Sequence, residues 1–222
     1  MVSPKTAFSH DRIELAERIK AEAGELPRAL GDAISWPGVI DRIGSIPREN
    51  FINPNDLALA YKNAPLSIGF GQTISQPLIV ALMSGLLQPT GMHNVLEVGT
   101  GSGYQAAVLA GLVASVHSIE IVPQLAARAR QALASCGIEN VKVYVGNGHA
   151  GLPAQAPFDG IIVTAASEFL PETLFDQLKP GGRMVLPLGS ERQTLSVVTK
   201  QAEGADPSVQ ALLPVRFVPF VA

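Results

Sequence analysis

Apolar residues recur along the chain with two different spacings, which predict helices and buried strands in turn. Near the start, Ile13, Ala16 and Ile19 are three residues apart with charged residues between them. This spacing predicts an amphipathic surface helix over residues 10–23, because residues three and four apart share one face of a helix. The apolar spacing within residues 37–46 predicts a second short helix.

Farther along the chain, almost wholly apolar runs alternate with helical patterns. The runs predict buried strands at residues 95–98, 116–121, 141–145, 158–164 and 184–188. Helical patterns cover residues 76–87, 104–112, 123–134 and 171–178. Such alternation predicts right-handed crossovers and a doubly wound, mainly parallel α/β sheet. Two β-rich stretches without a helix between them predict an antiparallel pair at one edge, at residues 195–200 and 209–220.

A glycine-rich loop joins the first of these buried strands to the helix that follows it. A dinucleotide fingerprint would place its third glycine at position 104, which is Tyr104 here, so a nicotinamide-dependent dehydrogenase is disfavoured. The pattern instead runs Glu97-x-Gly99-x-Gly101-x-Gly103. It is similar to the S-adenosylmethionine loop of class I methyltransferases, with Thr100 and Ser102 as the intervening loop residues.

Polar residues follow the next strands at the edge where the carboxyl ends of parallel strands meet. Glu120 ends the second strand, 17 residues beyond Gly103. A carboxylate at this position can accept both hydroxyls of a ribose. Asn147 follows the third strand, and ligands of doubly wound sheets bind beyond this edge.

Ser75 stands just before the predicted helix over residues 76–87, with Pro77 in its first turn. From the residues alone, Ser75 is interpreted as the helix N-cap, because its hydroxyl can accept a backbone N–H while proline lacks one. A capping hydroxyl beside a helix N-terminus is also placed to hold an anion.

Composition and charge narrow the class of protein. The chain has 222 residues and a net charge of −3, so we expect no nucleic-acid partner. Its apolar stretches are too short for a membrane span, and its N-terminus lacks the apolar core of a signal peptide. Cys136 is the one cysteine, which fits a reducing, cytoplasmic location. We expect a monomer.

Four segments together resemble the protein-L-isoaspartate O-methyltransferase family: residues 71–77, 95–105, 157–166 and 215–219. The segment Gly-Gln-Thr-Ile-Ser-Gln-Pro at 71–77 is specific to that family. The resemblance runs from about Ile46 to the C-terminus. It implies a single methyltransferase domain with a seven-stranded sheet, in which residues 46–222 form the catalytic core and residues 1–45 a helical N-terminal extension.

The resemblance also implies a cofactor and a reaction. The cofactor would be S-adenosyl-L-methionine, and the substrates would be proteins or peptides with L-isoaspartyl residues, whose free carboxylate is methylated as a step in repair. Ser75 matches the family's catalytic position. The positions implied for cofactor binding are Gln72, Thr73, Ile74, Glu97, Gly99, Thr100, Gly101, Ser102, Gly103, Glu120, Ile121, Asn147 and Gly148.

Some positions leave alternatives open. Asn147 replaces an aspartate that is usual in the family, and it either contacts adenine or is a turn residue. Glu97 either orients the loop or the cofactor's amino group, or is a buried brace. His117 and His149 lack metal-ligand partners nearby, so no metal is expected. Arg216 is interpreted as a surface salt-bridge residue, with a peptide carboxylate as the alternative partner.

The implied chemistry needs no strong base. A carboxyl of the aspartate type has a pKa near ~3.9, so the acceptor is already ionised at neutral pH. Positioning and desolvation should therefore dominate, with no essential histidine or cysteine. Two alternatives remain: a methyltransferase for aspartate in a dedicated peptide or for another carboxylate, and an S-adenosylmethionine-binding relative with impaired catalysis.

Overall fold

The computed structural model describes residues 8–26, 30, 34–36, 38–202 and 205–221. Helices in this part of the chain are α1 (Ser9–Gly24), α2 (Val39–Ser45), α3 (Pro77–Leu86), α4 (Tyr104–Ala110), α5 (Pro123–Ser135) and α6 (Glu172–Asp176). Short 3-10 turns cover Arg48–Phe51 and Pro54–Leu59. The helices predicted over residues 10–23 and 37–46 are therefore present, although Pro37 lies outside the described residues.

The strands form a small hairpin and one large sheet. The hairpin pairs β1 (Leu66–Gly69) with β2 (Gln72–Ile74). The sheet contains β3 (Asn94–Val98), β4 (Ser115–Glu120), β5 (Val141–Val145), β6 (Phe158–Val163), β7 (Leu178–Leu188), β8 (Gln193–Thr199) and β9 (Ser208–Val215). Its order is β5-β4-β3-β6-β7-β8-β9. The first five in this order are parallel, and β8 and β9 are antiparallel, so the predicted seven-stranded sheet with an antiparallel edge is confirmed.

Both faces of the central sheet are buried, which explains why its strands are apolar without alternation. In β3, Val95 packs with α3 and α4 on one face, whereas Leu96 and Val98 pack with α6 on the other. Helix α3 lies in this core, since every residue from Val80 to Leu86 is buried. The glycine loop thus follows a strand, β3, that is packed on both faces.

N-terminal elements cover one side of the core. Leu15 and Ile19 of α1 pack with Val39 and Ile43 of α2 in one buried cluster. The same cluster includes Tyr104, the first residue of α4. The predicted N-terminal extension is therefore packed against the helix that follows the glycine loop.

Four sequence predictions need correction. No strand is predicted within residues 65–77, but the structure has the β1–β2 hairpin there. The helix predicted at residues 171–178 is only Glu172–Asp176, because Leu178 already pairs with Phe158 in the sheet. Strand β7 begins at Leu178 rather than at residue 184, with a bulge that accommodates its Pro-Gly-Gly segment. Strand β9 ends at Val215, before the predicted limit of residue 220.

No helix in the described ranges is long and apolar enough to cross a membrane.

Candidate active site

A cavity lies at the carboxyl edge of the sheet and brings together most of the predicted site residues. The predicted residues that line it are Gln72, Thr73, Ile74, Ser75, Gly99, Thr100, Gly101, Ser102, Glu120, Ile121 and Gly148. Three other predicted residues, Glu97, Gly103 and Asn147, lie outside the wall of the cavity. The cavity thus lies at the edge where ligands of doubly wound sheets bind.

The glycine loop has backbone angles that side chains rarely allow. Gly99, Gly101 and Gly103 all have positive φ, at 94°, 54° and 89°. A Cβ on Gly99 would overlap the hydroxyl oxygen of Thr164, and a Cβ on Gly103 would lie 3.2 Å from that of Ala129. Gly99 is therefore needed for close packing beside the cavity, and Gly103 for packing of the loop against α5.

Glu120 holds the loop from the next strand. It is buried, with 5% of its surface exposed. Its Oε2 accepts a hydrogen bond of 2.7 Å from the backbone N–H of Gly101, and its Oε1 accepts one of 2.9 Å from the N–H of Val122. Each carboxylate oxygen has a second lone pair, so these bonds leave acceptor capacity toward the cavity.

Glu97 lies behind the cavity wall in a chain of buried hydroxyls. The Ser118 hydroxyl donates to its Oε2, and the oxygens of Ser118 and Thr100 are 2.5 Å apart. Burial, with a smaller contribution from the nearby Glu120 carboxylate, raises the pKa of Glu97 to about 8. The Ser118 hydroxyl and the backbone N–H of Ala106 oppose this shift because they favour the ionised form. Glu97 is thus linked to the cavity by hydrogen bonds through the hydroxyls of Ser118 and Thr100.

The turn after β5 has one residue in the cavity wall and its neighbours at the surface. Gly148 lines the cavity, and a Cβ there would meet Val98 and Phe220. Asn147 is exposed, and its Oδ1 accepts a hydrogen bond of 2.9 Å from the backbone N–H of His149. His149 stacks on Phe220 with ring centroids 3.9 Å apart. Asn147 thus shapes the turn that places Gly148 and His149.

Ser75 is not a helix cap. Helix α3 begins at Pro77, so the N-cap residue is Gln76. The Gln76 side chain makes no capping hydrogen bond. Instead, Oδ1 of Asn63 accepts a hydrogen bond of 3.0 Å from the N–H of Leu78. The prediction of a capping role failed because a residue from a distant turn supplies the acceptor. The half-buried Ser75 hydroxyl makes no hydrogen bond within the part of the chain that the structure describes.

A second cavity adjoins the first, and Ser75 borders both. The residues common to the two walls are Thr73, Ser75, Thr164 and Val218. The second cavity is also lined by Gln76, Ile79 and the segment from Pro214 to Phe217. Arg216 is exposed and is absent from the ion pairs formed among the described residues, so its side chain is available to this cavity.

Several wall residues were missed by sequence reasoning. Thr164 follows β6, and its hydroxyl donates to the carbonyl of Gly99 at 2.6 Å. The strand-end rule used for Glu120 could have found it. The segment Val218 to Val221 also lines the first cavity, because backbone bonds to Ala166 hold it there. No local pattern signals that contact, since it joins residues far apart in sequence.

His117 and Cys136 line neither of the two cavities. His117 is buried, with its Nδ1 3.1 Å from the Tyr144 hydroxyl, and burial lowers its pKa. Cys136 is half-buried and free. Across the described ranges, no group of three histidine, cysteine, aspartate or glutamate side chains is placed to hold a metal ion.

The model of the protein-L-isoaspartate(D-aspartate) O-methyltransferase family matches residues 31–222 of this chain. The match begins ahead of Ile46, where the resemblance seen in the motifs begins. It therefore includes part of the region that the sequence assigns to an N-terminal extension.

Curated relatives and solved structures agree with this match. A Syntrophobacter fumaroxidans (strain DSM 10017 / MPOB) protein named protein-L-isoaspartate O-methyltransferase 2 is 47% identical, covering 94% of this chain and 85% of the relative. An Anaeromyxobacter sp. (strain Fw109-5) protein named protein-L-isoaspartate O-methyltransferase 1 is 50% identical, covering 90% and 95%.

A solved structure described as a protein-L-isoaspartate O-methyltransferase superposes with a TM-score of 0.82 at 30% identity, covering 95% of this chain and 66% of that one. A Plasmodium falciparum protein in complex with S-adenosyl-L-homocysteine shares the fold, with a TM-score of 0.76 at 23% identity and coverage of 95% and 98%. The chain belongs to the protein-L-isoaspartate(D-aspartate) O-methyltransferase family.

Proposed function

We propose that this enzyme transfers a methyl group from S-adenosyl-L-methionine to the free carboxylate of L-isoaspartyl residues in damaged proteins and peptides. The methyl group passes from the donor to the carboxylate beside Ser75. The observation that carries this proposal is that Ser75 borders both cavities, one behind the glycine loop and one open to the segment after β9. Two reactants that meet at one residue can be held in line for displacement.

The first cavity suits the methyl donor. Gly99 and Gly101 have positive φ, which favours glycine, and without side chains there the loop backbone can approach the donor. Glu120 offers carboxylate lone pairs for ribose hydroxyls. The apolar side chains of Ile119 and Ile121 flank the same wall, where an adenine ring would be covered. When bound, the donor supplies a sulfonium-activated methyl group.

The chain's own residues need only hold the acceptor. An aspartate-type carboxylate with a pKa near ~3.9 is ionised at neutral pH, so no base is required to activate it. General acid–base catalysis typically supplies ~10²–10⁴-fold, whereas positioning can supply roughly 7–11 kcal/mol. The walls formed by the described residues contain hydroxyls and amides but no histidine or cysteine. The Ser75 hydroxyl, which makes no hydrogen bond to the described residues, is free to donate to the carboxylate.

The second cavity suits the substrate peptide. Its polar side, with Thr73, Ser75, Gln76 and Thr164, faces the point where the reacting carboxylate would lie. Ile79 and Phe217 provide apolar surface for neighbouring peptide residues. Arg216 carries the formal charge on this wall, which favours peptides with an acidic residue near the isoaspartate.

A methyl-transfer assay with labelled S-adenosyl-L-methionine tests this function. The substrates are an isoaspartyl peptide and a twin of the same sequence with a normal aspartate. We expect base-labile methyl ester on the isoaspartyl peptide and none on its twin. Equal labelling of both peptides would favour a general carboxylate methyltransferase. Cofactor binding by calorimetry without ester on either peptide would favour a relative that has lost catalysis.

A further inference from the structure

Arg48 is buried beneath the junction between the two cavities. It has no exposed surface, although it carries a full positive charge. Burying a cation is costly unless hydrogen bonds compensate for lost water. A guanidinium buried at this place therefore needs acceptors around it, and removing it would leave those acceptors without a donor.

Three carbonyl oxygens from separate segments accept hydrogen bonds from Arg48. Nη1 donates to the carbonyl of Ala60 at 2.6 Å, and Nη2 donates to those of Ala64 and Ser75 at 3.1 Å and 3.2 Å. A guanidinium can do this because its donors are fixed in a planar fork. The chain on both sides of the β1–β2 hairpin is thereby attached to one rigid group.

On its other side Arg48 contacts the helix that follows the glycine loop. Its Cζ lies 5.7 Å from the ring centroid of Tyr104, the first residue of α4. The Tyr104 ring also makes an edge contact with Phe51, from the same 3-10 turn as Arg48, with centroids 5.7 Å apart. Tyr104 itself lines the cofactor cavity.

One buried side chain therefore touches Ser75 on the acceptor side and Tyr104 on the donor side. We infer that Arg48 is a positioning residue that fixes the Ser75 segment at a set separation from Tyr104 and hence from the glycine loop. This inference rests on the proposed role of Ser75. In-line displacement depends steeply on the separation of the reacting atoms, and a misplacement of ~1 Å can cost on the order of 10²-fold in rate.

A double-mutant cycle tests whether Arg48 acts through Ser75. The variants are Arg48→Lys, Ser75→Ala and the pair, assayed for kcat at a temperature where circular dichroism shows all of them folded. We expect Arg48→Lys alone to lower kcat on the order of 10²-fold. In the Ser75→Ala background the same change should lower kcat less than about 3-fold, because coupled residues are not additive. The dissociation constant of S-adenosyl-L-homocysteine should change less than about 3-fold.

Arg183→Lys is the matched control. Arg183 donates to the carbonyl of Leu86 at 3.1 Å, so it holds the other end of α3 with the same chemistry but lines neither cavity. It should lower the melting temperature without changing kcat. If Arg183→Lys lowered kcat as much as Arg48→Lys, loss of stability would explain both effects and the inference would fail.

Other outcomes are equally decisive. Equal kcat losses from Arg48→Lys in the two backgrounds would overturn the inference while leaving Ser75 in place. Wild-type kcat in Ser75→Ala would instead remove the proposed role of Ser75. Should Arg48→Lys not fold, Arg48→Gln replaces it, since an amide keeps two donors without a buried charge. Failure of both variants to fold would assign Arg48 to folding and overturn the positioning role.

Discussion

Oε2 of Glu120 accepts a hydrogen bond of 2.7 Å from the backbone N–H of Gly101. This contact joins the end of β4 to the middle of the glycine loop. The carboxylate therefore both shapes the loop and faces the cavity that the loop lines. A change at Glu120 is therefore expected to affect both ligand binding and loop stability.

We therefore predict that Glu120→Gln weakens both cofactor binding and the fold. An amide turns one acceptor into a donor, so one of the N–H groups of Gly101 and Val122 loses its partner, at a cost of ~1–3 kcal/mol. Calorimetry with S-adenosyl-L-homocysteine should show a dissociation constant raised at least about 10-fold, since charge-assisted bonds are the stronger ones. Thermal unfolding without ligand measures the stability loss. Wild-type affinity in this variant would remove Glu120 from the ribose site.

The second prediction separates catalysis from capping near α3. Ser75→Ala should lower kcat on the order of 10²-fold, because without this donor the carboxylate is no longer held in line with the methyl group. The unfolding free energy should stay within ~0.5 kcal/mol of wild type, because the hydroxyl caps nothing. Kinetics with an isoaspartyl peptide and chemical denaturation provide the two measurements.

Asn63→Ala is the matched control for Ser75→Ala. Its side chain accepts the Leu78 N–H at 3.0 Å and lines neither cavity. Losing this cap should cost ~1 kcal/mol of stability and leave kcat unchanged. The reverse result, with Ser75→Ala less stable and fully active, would return Ser75 to the role of a structural residue.

The third prediction concerns Gly99. Gly99→Ala places a Cβ against the Thr164 hydroxyl at a φ of 94°, so the loop must move. We expect loss of S-adenosyl-L-homocysteine binding by calorimetry. Gly181→Ala is the control, because its φ is 78° and a Cβ there meets nothing within 4 Å. Gly181→Ala should lower the unfolding free energy by only ~1–2 kcal/mol, because of left-handed backbone strain. It should retain binding of S-adenosyl-L-homocysteine. Equal effects of the two changes would show that backbone strain alone matters.

Burial of Glu97 predicts a pH-dependent stability. Its pKa is raised from 4.5 to about 8 in the folded protein. Between these values the folded carboxyl holds a proton that the unfolded one has lost. The unfolding free energy should therefore fall as pH rises through this window, by at most ~1.4 kcal/mol per pH unit. Glu97→Gln should flatten the dependence in denaturation curves at pH 5, 6, 7 and 8. An unchanged slope in the variant would contradict the assignment.

Elements with a strong hydrophobic period were predictable from sequence. The strand and helix over Val141–Val145 and Pro123–Ser135 fall within one residue of their predicted limits. The β1–β2 hairpin was not predictable, because its strands are short and Phe70, with a φ of 55°, stands where Asn or Asp usually marks such a turn. A local pattern cannot reveal such an element.

The glycine-loop side of the cavity was more predictable than the side at Ser75. Gly99 and Glu120 follow from the strand–loop–helix spacing, which is local in sequence. Arg48 and Asn63 act on residues 27 and 15 positions away, respectively, through contacts made only in the folded chain. For that reason the sequence pattern favours a helix-cap role for Ser75 and does not indicate a role for Arg48.

The last prediction concerns peptide choice. Arg216 is exposed on the wall of the second cavity. Arg216→Ala should raise KM roughly 2- to 5-fold for an isoaspartyl peptide with glutamate beside the isoaspartate, which is the size of an exposed ion pair. KM for the same peptide with glutamine should not change, and added salt should shrink the difference because the pair is screened.

Arg192→Ala is the control for Arg216→Ala. Arg192 is also exposed and lies near the β8–β9 end of the sheet, but it lines neither the cofactor cavity nor the second cavity. Removing it changes net charge by the same amount, so it isolates the local effect of Arg216 from long-range attraction. If both variants raised KM for the acidic peptide equally, general electrostatic attraction would explain the result, and the peptide would not contact Arg216.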